Sequence, residues 1–169
     1  DIHSWLEFRR VLFRSIIKNE MSLQDGQIYI YNQDFKLPST NGLFVVIQQE
    51  SSELGASNTK TIAVDNVLKE NTYQLVKEEY AINIMSQNAE ARQRKEEVLL
   101  ALVSTYSQQK QDLYQIKIAQ SPTSFVNVSE LEGGSMLNRF VINISVLSWY
   151  QKTKTIPYYD QFSQSTINN

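Results

Sequence analysis

The chain has 169 residues, of which 41% are hydrophobic and 20% are charged, values typical of one globular domain rather than of a disordered chain. It contains no cysteine, which excludes disulfides, thiolate metal sites and cysteine nucleophiles. Its net charge of −2 gives no electrostatic reason to expect a nucleic-acid-binding face. No apolar run approaches the roughly 20 residues that span a bilayer, so no membrane association is expected.

The first fifteen residues raise a question about their origin. The segment Glu7–Ser15 resembles the peptide produced when a sequencing adapter is translated in frame with a gene. On this interpretation residues 1–15 are not native and carry no information about the fold. The alternative is a genuine amphipathic helix, because its apolar residues can share one broad face. Residues 1–15 contain His3, the one histidine of the sequence, and no functional prediction rests on them.

The first half of the remaining chain is predicted to contain a helix end followed by strands. The helix ends near Met21, and alternating residues predict a strand over Gln27–Tyr31. The continuous apolar run Leu43–Ile47 is typical of a strand that is covered on both faces. The polar stretch Ser51–Asn58 predicts an exposed turn, and Thr61–Val64 is a weak strand candidate.

The second half is predicted to contain the longest elements. A strand covers Asn71–Met85, and Asn88 is a good N-cap for a helix that runs to about Gln111. A short strand follows at Ile116–Ile118, and a long strand begins near Met136. The helix has a predicted buried stripe at helical spacing, formed by Val98, Leu99, Leu102, Val103 and Tyr106.

This order of elements predicts the fold class. Runs of strands with one helix between them indicate an α+β fold, in which a mostly antiparallel sheet is packed by one long central helix and an N-terminal helix. Residues 16–165 are expected to form a single domain, and residues 166–169 a polar tail. No internal repeat, linker or low-complexity block divides this range.

The sequence does not support a catalytic constellation. No glycine-rich loop has the spacing of a phosphate-binding motif, and a serine triad lacks its histidine. The pairs Glu78-Glu79 and Glu96-Glu97 are adjacent residues, which point to opposite faces of a strand or about 100° apart on a helix, so we interpret them as solvated charges. Glu130 and Glu132 can share one face, and a polar interface role is preferred for them over cation binding. We therefore expect no enzyme activity, no cofactor and no metal site.

Nucleic-acid binding is also not favoured by the charge pattern. The short basic run of Arg92, Arg94 and Lys95 is surrounded by glutamates, which is typical of a charged helical face. The nine tyrosines could offer stacking platforms, but such platforms need a basic groove that this acidic chain does not predict.

The candidate residues instead indicate a protein interface near the carboxyl end. Trp149, Tyr150, Tyr158 and Tyr159 cluster there, and aromatic residues of this kind are enriched at interface centres. Each of them could equally cover the end of the sheet. A glycine pair before a long strand suits a turn or a flexible segment. The candidates for a contact with another subunit or partner are Phe125, Val128, Leu131, Gly133, Gly134, Arg139, Trp149, Tyr150, Tyr158 and Tyr159.

The sequence resembles the neck or tail-terminator proteins of long-tailed bacteriophages and prophages. The resemblance is one of overall pattern over about residues 16–165 and includes no catalytic signature. The segments that carry it are Asp25–Gln33, Leu37-Pro38 with Gly42–Val45, Asn71–Ser86, Ala89–Tyr106, Ser121-Pro122, Val126–Leu131, and the strand through Arg139-Phe140 with the region Tyr158–Asp160.

This resemblance implies a structural virion subunit that forms a homohexameric ring. Such a ring caps the tail tube, stops its polymerisation and joins it to the head connector or head-completion protein. DNA passes through the lumen without specific binding, and the family has no known catalytic site or cofactor. The implied location is the neck of a virion assembled in the cytoplasm of a bacterial host. We expect the segment Phe125–Ser135 and the strand after it to supply one side of the subunit contact, since a ring requires head-to-tail contacts.

Three alternatives remain open from the sequence. Another head–tail connector or tail-completion subunit would show a similar pattern. A monomeric module could instead bind a peptide by strand addition at an exposed sheet edge. An enzyme is the least favoured class, because no convergent reactive groups are evident.

Overall fold

A computed structural model describes residues 2–31, 38, 41–64, 67–120, 124–132 and 135–157 of the chain. The helices in these ranges are α1 (Ile2–Glu20), α2 (Glu90–Val103) and α3 (Thr105–Leu113). The strands are β1 (Ile28–Ile30), β2 (Phe44–Val64), β3 (Val67–Ser86), β4 (Ile116–Gln120), β5 (Val126–Asn127), β6 (Glu130–Glu132) and β7 (Ser135–Thr155). A short 3-10 turn at Asp25–Gln27 precedes β1.

The strands are arranged in the order β1-β2-β3-β7-β4, and β5 and β6 also pair with β7. β1 runs parallel to β2, whereas the other described strand pairs are antiparallel. The three long strands lie side by side, because β3 pairs with β2 on one side and with β7 on the other. Ile82 of β3, for example, lies opposite Ile47 of β2 and Ile142 of β7. β3 is therefore the central strand.

The predicted fold class is wrong. We expected an α+β fold whose mostly antiparallel sheet is packed by one long central helix and an N-terminal helix. The structure is dominated by a mixed sheet with three shorter helices, and no single long central helix occurs among the residues it describes. The parallel pairing of β1 with β2 makes the sheet mixed.

The predicted central helix is interrupted at Ser104. This residue has an extended backbone, with φ −62° and ψ 157°, which ends α2. Its hydroxyl accepts a hydrogen bond from the backbone N–H of Ser107 at 3.0 Å and thereby caps α3. Serine favours such positions because its side chain replaces a missing backbone partner. Val103, predicted to be buried, is 48% exposed at the end of α2.

The helices and one face of the sheet enclose the main hydrophobic core. Val45 and Ile47 of β2 contribute to this core, whereas Phe44 and Val46 form a smaller cluster with Met85 on the opposite face. The prediction that the apolar run before Gln48 is a strand covered on both faces is confirmed. We call the face of the sheet that points away from the main core the outer face. Along β3 and β7 the main core contains Tyr80, Ile82, Ile84, Phe140, Ile142, Ile144 and Val146.

Helix α1 contributes some of the most buried side chains. Phe13 and Ile16 are fully buried, and Leu12 beside them is nearly so. The ring centroids of Phe13 and Tyr80 lie 5.4 Å apart, so the helix packs directly on the central strand. The end of the first fifteen residues is thus part of the core, while the origin of that segment stays a prediction.

Beyond the residues that form the core, the long strands continue as a segment that we call the distal sheet. It comprises Glu50–Val64 of β2, Val67–Lys77 of β3 and Leu147–Thr155 of β7. Every side chain from Glu50 to Ala63 is exposed. The predicted exposed turn at Ser51–Asn58 is wrong, since these residues belong to β2 and pair with β3 apart from two irregularities.

The second of these irregularities lies between Leu54 and Ser57. Gln74 of β3 donates from Nε2 to the carbonyl oxygen of Gly55 at 3.0 Å. A Cβ atom on Gly55 would lie 3.3 Å from Cδ2 of Leu75, a tight contact. The absence of a side chain therefore lets Leu75 pack closely over this part of β2.

Candidate subunit interface

Phe125 and Val128, both predicted at an interface, make contacts within the chain. Phe125 is half-buried against the main core. The Nζ atom of Lys95 lies 5.5 Å from its ring centroid and 5.6 Å from that of Phe140, within the range of cation–π attraction. Val128 donates its backbone N–H to the carbonyl oxygen of Arg139 at 2.9 Å. The segment that contains both residues is thus held against β7 of its own subunit.

Arg139 is oriented by a hydrogen-bonded amide on the outer face. Its Nε and Nη2 atoms donate to Oδ1 of Asn83 at 3.1 and 2.9 Å. Its backbone N–H donates to Oγ of Ser129 at 3.1 Å. Asn83 is buried, so the pair fixes a half-buried guanidinium beside the smaller apolar cluster. Two of the five N–H donors of the guanidinium are used in this way.

The remaining candidates near the glycine pair are placed only in part. Leu131 lies in β6, where its Cα partner is Met136 of β7. The backbone of β6 is therefore paired within the subunit. Gly133 and Gly134, between β6 and β7 in the sequence, and Tyr158 and Tyr159, after β7, lie outside the described residues. Their interface roles stay predictions.

Trp149 and Tyr150 lie on opposite faces of β7, because successive residues of a strand alternate. Trp149 is 53% exposed and lies opposite Leu75 on the outer face. Tyr150 lies opposite Gln74 on the other face and is half-buried. The two aromatic residues therefore do not form one surface. Tyr73 shares the outer face with Trp149 and Leu75, and these three residues make an apolar patch on the distal sheet.

The distal sheet has two edges along which no described strand pairs, and we call them its open edges. β1 pairs only with Val45–Ile47, so Glu50–Val64 of β2 has no described partner strand on the edge away from β3. β4 pairs only with Ser145–Ser148, so Gln151–Thr155 of β7 faces no described strand either. The backbone N–H and C=O groups of such an edge can pair with a further strand.

A signal for the distal part of β2 was present in the sequence. The stretch Thr59–Val64 is rich in threonine and aliphatic residues, which favour strands. Only two residues separate it from Val67, the start of a second stretch of similar character. Two such stretches with a two-residue connection are typical of a β-hairpin. The structure pairs Val64 with Val67, consistent with this pattern.

Glu78 is buried, so the prediction that this residue is a solvated charge is wrong. Its Oε1 atom accepts a hydrogen bond from Nε2 of Gln49, and its Oε2 atom accepts one from the Tyr80 hydroxyl, both at 3.3 Å. These contacts lie at the border of the main core, where hydrogen bonds offset the cost of removing a carboxylate from water.

Glu79 lies on the outer face, away from Glu78, as expected for adjacent strand residues. Nζ of Lys77 lies 2.6 Å from its Oε1 atom, and the Ser145 hydroxyl donates to its Oε2 atom at 2.7 Å. The hydrogen bond from Lys77, aided by that from Ser145, holds the pKa of the Glu79 carboxyl below its ordinary value. The two adjacent carboxylates thus do not converge on one site.

The charged residues of α2 pair along the helix surface. Arg94 forms an ion pair with Glu97 at 2.6 Å, and Lys95 pairs with Glu96. Arg94 also donates to the carbonyl oxygen of Met21 at 2.9 Å. The prediction that the basic run and its glutamates form a charged helical face agrees with these contacts.

The described ranges contain no group of three or more acidic or histidine side chains arranged to hold a metal ion. In the same ranges, none of the helices combines the length and the apolar character needed to cross a membrane.

No protein-family model matches the chain, and no match was found among curated proteins. The sequence resemblance and the geometry of the distal sheet are therefore the grounds for a functional proposal.

Proposed function

We propose that the protein is a structural virion subunit of the tail-terminator type, which forms a homohexameric ring at the end of a phage tail tube. The observation that carries this proposal is the distal sheet, which has an edge without a described partner strand on each side and an apolar patch with exposed Trp149 between them. A subunit with two different open strand edges is suited to head-to-tail contacts between copies. Such contacts generate a ring when the rotation between copies closes.

The exposed patch supports an assembly role independently of the edges. Trp149, Tyr73 and Leu75 share the outer face, and Trp149 is 53% exposed. Aromatic residues of this kind are enriched in the cores of protein interfaces. Their position on the distal sheet places them on the same segment as the open edges.

The partners in this proposal are further copies of the chain, the tail-tube protein and the head-completion or connector protein. The ring stops polymerisation of the tube and joins it to the head. DNA passes through the lumen without specific binding, which is compatible with a net charge of −2. The location is the neck of the virion, after assembly in the cytoplasm of the bacterial host.

The proposal includes no enzyme activity. The carboxylates at positions 78 and 79 lie on opposite faces, and each is held by hydrogen bonds within the subunit. A pair used for general acid–base chemistry would need to converge on one substrate.

A second candidate function is peptide binding by strand addition. The open edge Glu50–Val64 favours it, since an edge of this length could accept an extended segment from a partner. In that case the protein would be a monomer. A different head–tail connector or tail-completion subunit remains the alternative within assembly.

The mass of the full chain in solution, measured by light scattering, tests the proposal. The measurement is made on the protein alone and after mixing with the tail-tube protein, with electron micrographs of any large species. A discrete hexamer with a ring shape in either sample is the expected result. A strict monomer in both samples would overturn the proposal and favour strand addition.

A further inference from the structure

We infer that the two open edges of the distal sheet bind each other between copies of the chain, with β7 of one copy pairing with β2 of the next. This inference rests on the proposed function, because it identifies the surface that joins neighbouring subunits. It assigns the contact to Glu50–Val64 and Gln151–Thr155 rather than to the segment around the glycine pair.

The direction of the strands allows this contact. β2 and β7 are both antiparallel to β3, so they run parallel to each other within one subunit. When copies are related by rotation about an axis along the strands, β7 of one copy meets β2 of the next in the same direction. The result is a parallel ladder that continues the sheet from subunit to subunit.

The two edges also lie at the same level of the sheet. Gln151 and Asn58 both pair with Tyr73, and Thr153 and Lys60 both pair with Asn71. The edge of β7 therefore lies level with the part of β2 whose pairing with β3 is unbroken. A stagger between copies, which closure of a sheet into a barrel requires, shifts this level along β2 without removing the contact.

The charges on the edge of β7 disfavour its pairing with a second copy of itself. This edge carries Lys152 and Lys154 and no acidic residue, whereas the part of β2 level with it carries one charged residue, Lys60. A two-fold pairing of β7 with itself would bring four lysines into one seam, and like charges across a strand pair are destabilising. Pairing of β7 with β2 of the next copy avoids a seam of four lysines. It also uses both open edges of each subunit in one repeated contact.

The absence of cysteine makes the contact directly testable by disulfide trapping. In the full chain, Gln151→Cys is combined in turn with Asn58→Cys, Lys60→Cys or Ile62→Cys, positions that cover different staggers on the outer face. Within one subunit β3 separates Gln151 from Asn58 by about 9–10 Å, and Lys60 and Ile62 lie farther away, so each pair is too distant for a disulfide. A bond can therefore form only between copies. The matched control combines Gln93→Cys with Asp112→Cys, two exposed positions on the helices.

On oxidation, at least one edge pair is expected to give a ladder of covalent dimers, trimers and higher species. We expect about tenfold more cross-linked protein than in the control, because a standing contact raises the local thiol concentration. Each single-cysteine variant should remain uncross-linked. Circular dichroism of the reduced variants checks that each has folded before oxidation.

Three results would overturn the inference, and they separate it from the proposed function. Dimers from a single-cysteine variant mean that like edges pair with each other. A hexamer by light scattering with no ladder from any pair means that the ring forms through another surface, so the proposed function stands. A monomer with no ladder means that both ideas are wrong.

Discussion

Nε2 of Gln74 donates a hydrogen bond to the carbonyl oxygen of Gly55 at 3.0 Å, across the point where β2 loses its regular pairing with β3. The same amide also lies 3.4 Å from the carbonyl oxygen of Ala56. A side chain of the central strand thus replaces backbone hydrogen bonds that the irregularity removes. This contact holds β2 against β3 at the irregularity between Leu54 and Ser57.

Replacing Gln74 by alanine is expected to loosen that part of β2. The loss of the amide should lower the free energy of unfolding by about 1 kcal/mol, a typical value for one hydrogen bond. Hydrogen exchange should accelerate at residues 54–58 more than elsewhere in β2. Gln93→Ala, at an exposed position of α2, is the control and should change neither quantity by as much. Equal effects in both variants would contradict the role assigned to Gln74.

Replacing Ser104 by alanine tests the cap that divides the predicted long helix. Loss of the Ser104 hydroxyl removes the acceptor for the Ser107 N–H and should cost about 1 kcal/mol of stability in urea unfolding. Ser104→Asp should retain most of the stability, because aspartate is also a good N-cap. Equal destabilisation by both substitutions would show that the cap is not the reason for the serine.

Replacing Phe13 by alanine tests whether the end of the first fifteen residues is part of the core. The side chain is fully buried and packs 5.4 Å from the Tyr80 ring, so its removal should destabilise the protein by about 3–5 kcal/mol. Val11→Ala, at a position that is 50% exposed on the same helix, should have a much smaller effect. Thermal and urea unfolding of the two variants give the comparison.

If Phe13→Ala is as stable as the parent chain, the packing of α1 on β3 does not contribute to folding. That result would favour the interpretation of residues 1–15 as a foreign segment. A large loss of stability would show that the segment, whatever its origin, has become part of the folded domain.

The carboxyl of Glu79 should contribute to the pH dependence of stability. Its pKa is lowered in the folded protein from the ordinary value of 4.5, chiefly by the hydrogen bond from Lys77 and also by that from Ser145. A group with a depressed folded-state pKa stabilises the protein above its unfolded-state pKa, and this contribution is lost as pH falls through the folded-state value. The stabilisation should therefore be present at neutral pH and disappear below about pH 4.5.

Urea unfolding of the parent chain and of Glu79→Gln between pH 7 and pH 3 measures this contribution. The parent should be the more stable of the two at pH 7, and the difference should shrink as the pH falls. Glu96→Gln is the matched control, since Glu96 is exposed on α2. A difference that is constant with pH would contradict the assignment.

The sequence predicted the parts of the sheet that have a buried face. The run before Gln48 was predicted as a strand covered on both faces, and Asn71–Met85 was predicted as a long strand, because apolar side chains mark these segments. The part of β2 from Glu50 to Ala63 buries neither face. Burial therefore imposes no apolar–polar alternation on it, and the residue types of Thr59–Val64 are the weaker signal that remains.

The interruption at Ser104 escaped prediction for a related reason. Apolar residues continue at helical spacing on both sides of it, so the periodicity predicts one helix, and only the local hydrogen bond of a serine marks the break. The alternation of strand residues also explains why the candidate interface was not predicted as one surface. Trp149 and Tyr150 are neighbours in the sequence but lie on opposite faces, and no sequence pattern showed which of the two would be exposed on the patch.

The position of β3 between β2 and β7 has a consequence for synthesis of the protein. β2 and β3 are close in the chain and can pair as soon as they leave the ribosome, whereas β7, the last of the described strands, is made later. Until then the hairpin has a second open side, and Ile142 and Ile144 are missing from the core. Contacts that join distant parts of a chain form late and leave partly folded states prone to aggregation. A nascent chain that stops before β7 is thus unable to complete its own sheet.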